Sequence, residues 1–197
     1  MAIIQGRLKT PVNSADHALG RPDAPLTLVE YGDFQCPHCA AAVPIVAGIR
    51  EQFGDDLLVV YRHFPLSKVH PLARPAAEAS EFAAEHHVFW EMHDALFARQ
   101  RQLNAAIILE IAAGLSLDTA ALQTALDTAR YRQKVQDNFA DGMRSGVNGT
   151  PTFFINGRRH AGYQQATLVE ALLKVPGPRG PAGPDAGSPS RTGADQV

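Results

Sequence analysis

The chain has 197 residues, 45% hydrophobic and 19% charged, which suits one globular unit with room for an insertion. A formal net charge of −2 gives no electrostatic footprint for nucleic acid or an anionic membrane, so neither is expected as a partner. No run reaches the ~18 apolar residues of a membrane span. The first seven residues also lack the apolar core of a secretory leader, so the chain as written is expected in the cytoplasm. Removal of an earlier leader would place it in the periplasm instead.

Residues 1–15 read as an N-terminal extension. Leu8-Lys9-Thr10-Pro11-Val12 suits an edge strand, because Pro11 has no N–H to give to a central ladder. Asn13 to Asp16 and Gly20 to Pro25 carry turn residues, so this region is mostly connector. Leu26 to Tyr31 is short, apolar and β-rich, as a buried strand would be. Glu30 interrupts it. Its carboxylate is either a surface group at the strand end or a buried acid that handles protons for a neighbour.

Cys36-Pro37-His38-Cys39 follows, and it holds both cysteines of the chain. A helix-compatible run, Ala40 to Phe53, comes next. Cysteines at i and i+3 of a helix start share one face and lie close enough to form a disulfide. The first sits where free N–H groups and the helix dipole favour an anion. A thiolate is such an anion and is the nucleophile of thiol–disulfide exchange. The pair therefore reads as a redox dithiol, with Cys36 attacking and Cys39 resolving. A structural zinc site needs four ligands, and no second cysteine pair or suitably spaced histidine pair completes one. No metal or other cofactor is expected. A purely structural disulfide across so short a loop adds little stability.

The first helix should run from Pro37 to about Gln52, with Pro37 in the first turn and a kink at Pro44. Leu57 to Phe64 reads as a second buried strand. Strand, helix and strand at this spacing imply a right-handed crossover and a parallel pair. From Pro71 to Ser145 the pattern is helical. Expected helices cover Ala76–His87, Val88–Arg99, Ala105–Gly114, Thr119–Thr128 and Arg130–Arg144. Gly114 suits a C-cap, and Ser116 or Asp118 suits the next N-cap. Phe89, Trp90 and Phe97 fit the core of this bundle better than a ligand box. His86, His87 and His93 fit helix surface or packing better than ligation. Thr152–Ile155 is a short strand, and Asn156-Gly157 is a strong type I′ hairpin signal. Arg158 to His160 returns antiparallel, and Gln165–Val175 is a final amphipathic helix. Residues 16–70 and 146–175 thus form one α/β unit, and 71–145 an inserted helical domain. Residues 176–197 hold five prolines and five glycines, which predicts a disordered Pro/Gly-rich tail.

This layout resembles the DsbA-like thioredoxin-fold oxidoreductases. The likeness rests on Val29–Phe34, Cys36-Pro37-His38-Cys39, Arg62–Leu66, Phe89–His93 and Val147–Gly157. It implies a thioredoxin-like α/β fold, with a central mixed sheet and an inserted α-helical bundle. It implies that Cys36 is the exposed, low-pKa nucleophile and Cys39 its buried partner. Pro151 would be a cis-proline, and Thr150 before it would face the dithiol and bind a substrate backbone. Pro37 and His38 would tune the redox potential, with His38 favouring the thiolate and so an oxidising disulfide. Glu30 matches the family's acid beneath the dithiol. The implied activity is thiol:disulfide exchange with protein or peptide thiols through a mixed disulfide, with an unidentified redox partner resetting the dithiol. The alternative is a peptide-binding, chaperone-like module with incidental redox activity.

Overall fold

Strands β2 (Leu26–Gly32) and β3 (Leu57–His63) lie side by side, parallel and in register from Leu26 opposite Leu57 to Gly32 opposite His63. In this computed structural model, which describes residues 6–175, the two strands are the centre of a five-stranded mixed sheet. The order is β1-β3-β2-β4-β5. Strand β1 (His17–Leu19) runs antiparallel to β3 at one edge. Strand β4 (Thr152–Ile155) runs antiparallel to β2, and β5 (Arg158–Arg159) closes the other edge. Asn156 and Gly157 both have positive φ, the geometry that lets a two-residue turn follow the sheet twist.

Two expectations are corrected at the N-terminus and one in the helices. Leu8 to Val12 is not a strand. Arg7 forms a single bridge to Arg158, and the Leu8 N–H donates to the Gly157 carbonyl at 2.9 Å. The edge strand is His17–Leu19, in a stretch read as connector. Its three residues are too short for periodicity to register. Gly114 is the last helical residue of its helix, and the left-handed residue after it is Ser116, with φ 60°. The predicted tail at 176–197 and the first five residues of the extension lie outside the described residues.

Side chains alternate across the sheet, and each face has its own cover. Leu28, Leu57, Val59, Phe153 and Ile155 face α1 (Pro37–Phe53) and α7 (Gln165–Leu173). Val29, Leu58, Val60 and Phe154 face the other way, against Leu8, Val12, Val147 and Phe139. Five helices lie between β3 and β4: α2 (Ala73–Glu85), α3 (Phe89–Ala98), α4 (Ala105–Gly114), α5 (Thr119–Asp127) and α6 (Arg132–Arg144). Asn104 and Asp118 cap α4 and α5 through side-chain oxygens that accept first-turn N–H groups. The helical core includes Phe82, Phe89, Met92, Leu96, Ile108 and Leu122, and it continues into Phe34, Tyr61, Cys36 and Cys39. Phe89 and Phe97 are therefore core residues. His93 is packed, whereas His86 and His87 are exposed.

One buried cation ties the N-terminal segment to the sheet. Arg62 donates through Nε and Nη2 to the two Asp16 carboxylate oxygens at 2.7 and 2.8 Å. Its Nη1 donates to Asp141 Oδ2, to the Tyr31 hydroxyl and to the Thr10 carbonyl at 2.9 to 3.0 Å. Tyr31 in turn donates to Asp141. A buried charge costs heavily unless paired in this way, and removing one member leaves the others uncompensated. Arg62→Met should therefore lower unfolding stability by about 3–5 kcal/mol, because Asp16 and Asp141 lose their counter-charge. Urea unfolding followed by circular dichroism measures this.

Candidate functional site

Cys36 is the N-cap of α1, with extended backbone angles, and Pro37 opens the helix. Pro at this position sacrifices only an N–H that has no helical partner. The Cys36 carbonyl accepts the N–H groups of Cys39 at 3.0 Å and Ala40 at 3.2 Å, which closes the first turn. The first turn of α1 carries no acidic residue, so no carboxylate there competes with an anion at its N-terminus.

Cys36 is only 5% exposed and Cys39 is fully buried. The expectation of an exposed nucleophile is thus corrected. Cys36 belongs to the apolar cluster it shares with Phe34 and Tyr61, and its Sγ lies 3.2 Å from the Thr150 carbonyl. Both cysteines are free thiols here. The Cys36 thiol is pulled down to about 5. The main cause is a hydrogen bond from the Cys39 thiol. Burial opposes it, and the N–H groups of Cys39 and His38 add to it. Cys39 moves the opposite way, because burial and its bond to Cys36 both favour its protonated form. The pair is split into one stabilised thiolate and one held thiol.

Glu30 lies on the α1 face of β2, opposite Tyr61 of β3 and Phe153 of β4. It is 7% exposed, so it is buried and not a surface group at the strand end. Burial, then repulsion from Cys36, pushes its carboxyl up to about 8. Asp33, 1% exposed, is a second buried acid. Its Oδ1 accepts the Gln35 N–H at 2.7 Å, and its Oδ2 accepts Leu66 N–H and binds His70 Nδ1, both at 2.8 Å. The Asp33 carbonyl also accepts the Cys36 N–H at 3.0 Å. Asp33 thus shapes the turn that presents Cys36.

The Thr150–Pro151 peptide bond is cis. The structure brings this loop against Cys36, although the two are far apart in the chain. The Thr150 hydroxyl is buried without a hydrogen-bond partner among the described residues. The His38 ring is exposed, and its Nδ1 lies 2.9 Å from the Tyr163 hydroxyl, on the loop before α7. What His38 gives Cys36 directly is its backbone N–H. Tyr163, Asp33 and Gln100, whose amide donates to the Phe34 and Cys36 carbonyls, are site residues that the sequence reading does not include. Gln100 and Tyr163 have no motif to mark them, whereas Asp33 stands inside the Val29–Phe34 run and could have been singled out there.

One group of possible metal ligands is present among the described residues: His17, His63 and Glu81. Both histidines place Nε2 2.8 Å from the same Glu81 oxygen, and Lys134 approaches the other at 3.4 Å. Burial alone would raise Glu81, but the two histidines overcome it and hold it well below the carboxylate range. A carboxylate already satisfied by two rings and an ammonium is a buried ion network, and it stands apart from the dithiol.

The profile of the family described as Thioredoxin matches residues 12–174. The chain belongs to the thioredoxin family. Among solved structures, BdbD from Bacillus subtilis superposes with a TM-score of 0.77 at 23% identity, covering 87% of this chain and 97% of that one. For alpha-DsbA1 from Wolbachia pipientis the TM-score is 0.73 at 23% identity, with 85% and 94% covered. In fold, this thioredoxin-family chain is DsbA-like. A protein of Mycolicibacterium gilvum named Na(+)/H(+) antiporter NhaA 1 is 43% identical over 170 residues. That stretch is 84% of this chain but 28% of the antiporter, so the chain spans about a quarter of the length of such curated relatives.

The Glu30 carboxyl gives a test with a definite sign. Its folded value, about 8, lies above the ordinary 4.5, so the folded protein keeps a proton that the unfolded chain releases. Stability from this group is full below about 4.5 and is lost as pH rises toward about 8. Glu30→Gln should match the parent near pH 4 and exceed it in unfolding stability at pH 8. Denaturant midpoints at both pH values test this.

Proposed function

We propose that this thioredoxin-family protein is a thiol:disulfide oxidoreductase that exchanges disulfides with protein or peptide thiols through Cys36 and Cys39. The supporting observation is the split pair: a thiol stabilised as thiolate at a helix N-terminus, three positions before a buried thiol held protonated. That asymmetry assigns attack to Cys36 and resolution to Cys39.

In the oxidising direction a substrate thiolate attacks Cys36 Sγ of the disulfide. The Cys36–Cys39 bond breaks, and Cys39 leaves with the electron pair and takes up a proton. A second substrate thiolate then attacks the substrate sulfur of the mixed disulfide. Cys36 leaves as a thiolate, the substrate has lost two electrons, and the dithiol has gained them. A redox partner must then accept those electrons. Glu30, on the face beneath α1, is the acid that would move the Cys39 proton, since its carboxyl titrates near neutrality. A stabilised Cys36 thiolate favours the reduced form, which makes the disulfide oxidising. The Thr150–Pro151 loop, against Cys36 Sγ, is where a substrate backbone would lie.

Cys36→Ser should abolish turnover in oxidative refolding of a reduced, disulfide-containing protein, while Cys39→Ser should accumulate a substrate-linked mixed disulfide visible by mass spectrometry. Full turnover by the Cys36→Ser protein would overturn the assignment. Undiminished peptide binding with no exchange by the parent would favour the peptide-binding module.

A further inference from the structure

One side chain of the helical layer, Gln100, donates to the Cys36 turn, and Gln35 of that turn reaches back to accept the Leu72 N–H at the start of α2. Gln100 sits in a short 3-10 turn, Gln100–Gln102, between α3 and α4. Its Nε2 donates to the Phe34 carbonyl at 2.8 Å and to the Cys36 carbonyl at 2.9 Å. Among the described residues, no other side chain from 73–145 hydrogen-bonds to residues 33–39, and no other donor reaches the Phe34 carbonyl.

We propose that Gln100 is a positioning residue that locks the Cys36 turn, so that the first-turn N–H groups stay aimed at the Cys36 sulfur. The proposal builds on the dithiol chemistry above, but its readout is thiolate formation, which does not require that chemistry. A primary amide fits the place because one nitrogen carries two hydrogens, and two carbonyls converge on it. Those carbonyls flank Gln35 and belong to the turn that Asp33 shapes from the other side. The Cys36 carbonyl already accepts the Cys39 and Ala40 N–H groups, and a further donor there acts on its dipole. The carbonyl belongs to the peptide bond into Pro37, which has no N–H, so that unit offers an anion only the negative end of its dipole. Gln100 places a donor against that end. It also fixes the orientation of Cys36 relative to the backbone N–H groups of His38 and Cys39, which help to pull its thiol down. Phe34 is held by ring contacts to Phe97 and His93 of α3, at 5.0 and 5.7 Å, so the turn is anchored on the helical layer by packing as well. Loss of Gln100 would keep that packing and remove only the two donors.

The test is the pH dependence of Cys36 alkylation by iodoacetamide in the reduced full chain, with the modified residue identified by mass spectrometry. In Gln100→Met, which keeps length and loses both donors, the Cys36 rate at pH 4 should fall about threefold to tenfold, the range of one net hydrogen bond. The rate at pH 8 should stay unchanged. Gln100→Lys, which restores donors, should return the profile toward the parent. A Gln100→Met protein with the parent's profile and a native circular dichroism spectrum overturns the proposal. So does an equal upward shift in the Met and Lys variants, which would mark a packing role alone. If the Met variant fails to fold, the Lys variant decides by itself, because a profile shifted upward there is incompatible with a donor role. A parent protein with an acidic Cys36 profile but no disulfide exchange would count against the oxidoreductase reading and leave the Gln100 result intact.

Discussion

A thiolate that is almost closed off from water must take its stabilisation from protein donors. Cys36 is in that position, and the local architecture follows from it. Strand β2 ends just before the cysteine, so the chain turns and starts α1 there, with Cys36 at the positive end of the helix dipole. The Cys39 thiol supplies the strongest single donor. Because that donor must keep its proton to act, the two cysteines cannot share a role. The helix dipole and the buried thiol both act on one atom, and each would matter less in water.

Pairing decides which buried groups in this protein carry charge. Arg62 is paired on two sides by Asp16 and Asp141, and burial alone, which would lower it, is outweighed. Glu81 is paired by His17 and His63 and stays ionised, while burial lowers His63 toward its neutral form. Glu30 has no such partner and faces the Cys36 sulfur's charge, so its proton is retained to about pH 8. The same desolvation acts on all three. Only Glu30 is left able to exchange a proton near neutrality, and it is the one on the α1 face of the sheet. A fixed charge network on the opposite face and beside β1 therefore coexists with one titratable group near the dithiol.

The central strands, the hairpin and most helices were legible because each has a local signal. Leu57 to Tyr61 is an unbroken apolar run, Asn156-Gly157 is turn chemistry, and Asp118 caps a helix by its own side chain. The dithiol was legible because two cysteines at i and i+3 have few other uses. The edge strand β1 was not, since three residues show no period. Burial of Cys36 was also hidden, because its cover comes from residues brought together only by folding: Phe34, Tyr61 and the Thr150 loop. Arg62 stands inside the predicted strand, and the two acids that justify its burial lie 46 and 79 positions away. Gln100 illustrates the same limit. Its partners are backbone carbonyls, which leave no trace in sequence.

The meeting of Cys36 with Thr150 depends on strand register. Strands β2 and β4 pair antiparallel, with Tyr31 opposite Thr152 and Leu28 opposite Ile155. That register sets the start of β4 beside the end of β2, so the residues just before β4 and just after β2 must be neighbours. Phe153 and Phe154 hold it, because one faces α1 and α7 and the other the opposite layer, and both are fully buried. A slip of one residue would send each to the wrong face. It would also carry Thr150 along the strand direction by about 3.4 Å, more than a hydrogen bond to Cys36 can span. Two aromatic side chains packed on opposite faces of a four-residue strand thus fix the distance at the reactive sulfur.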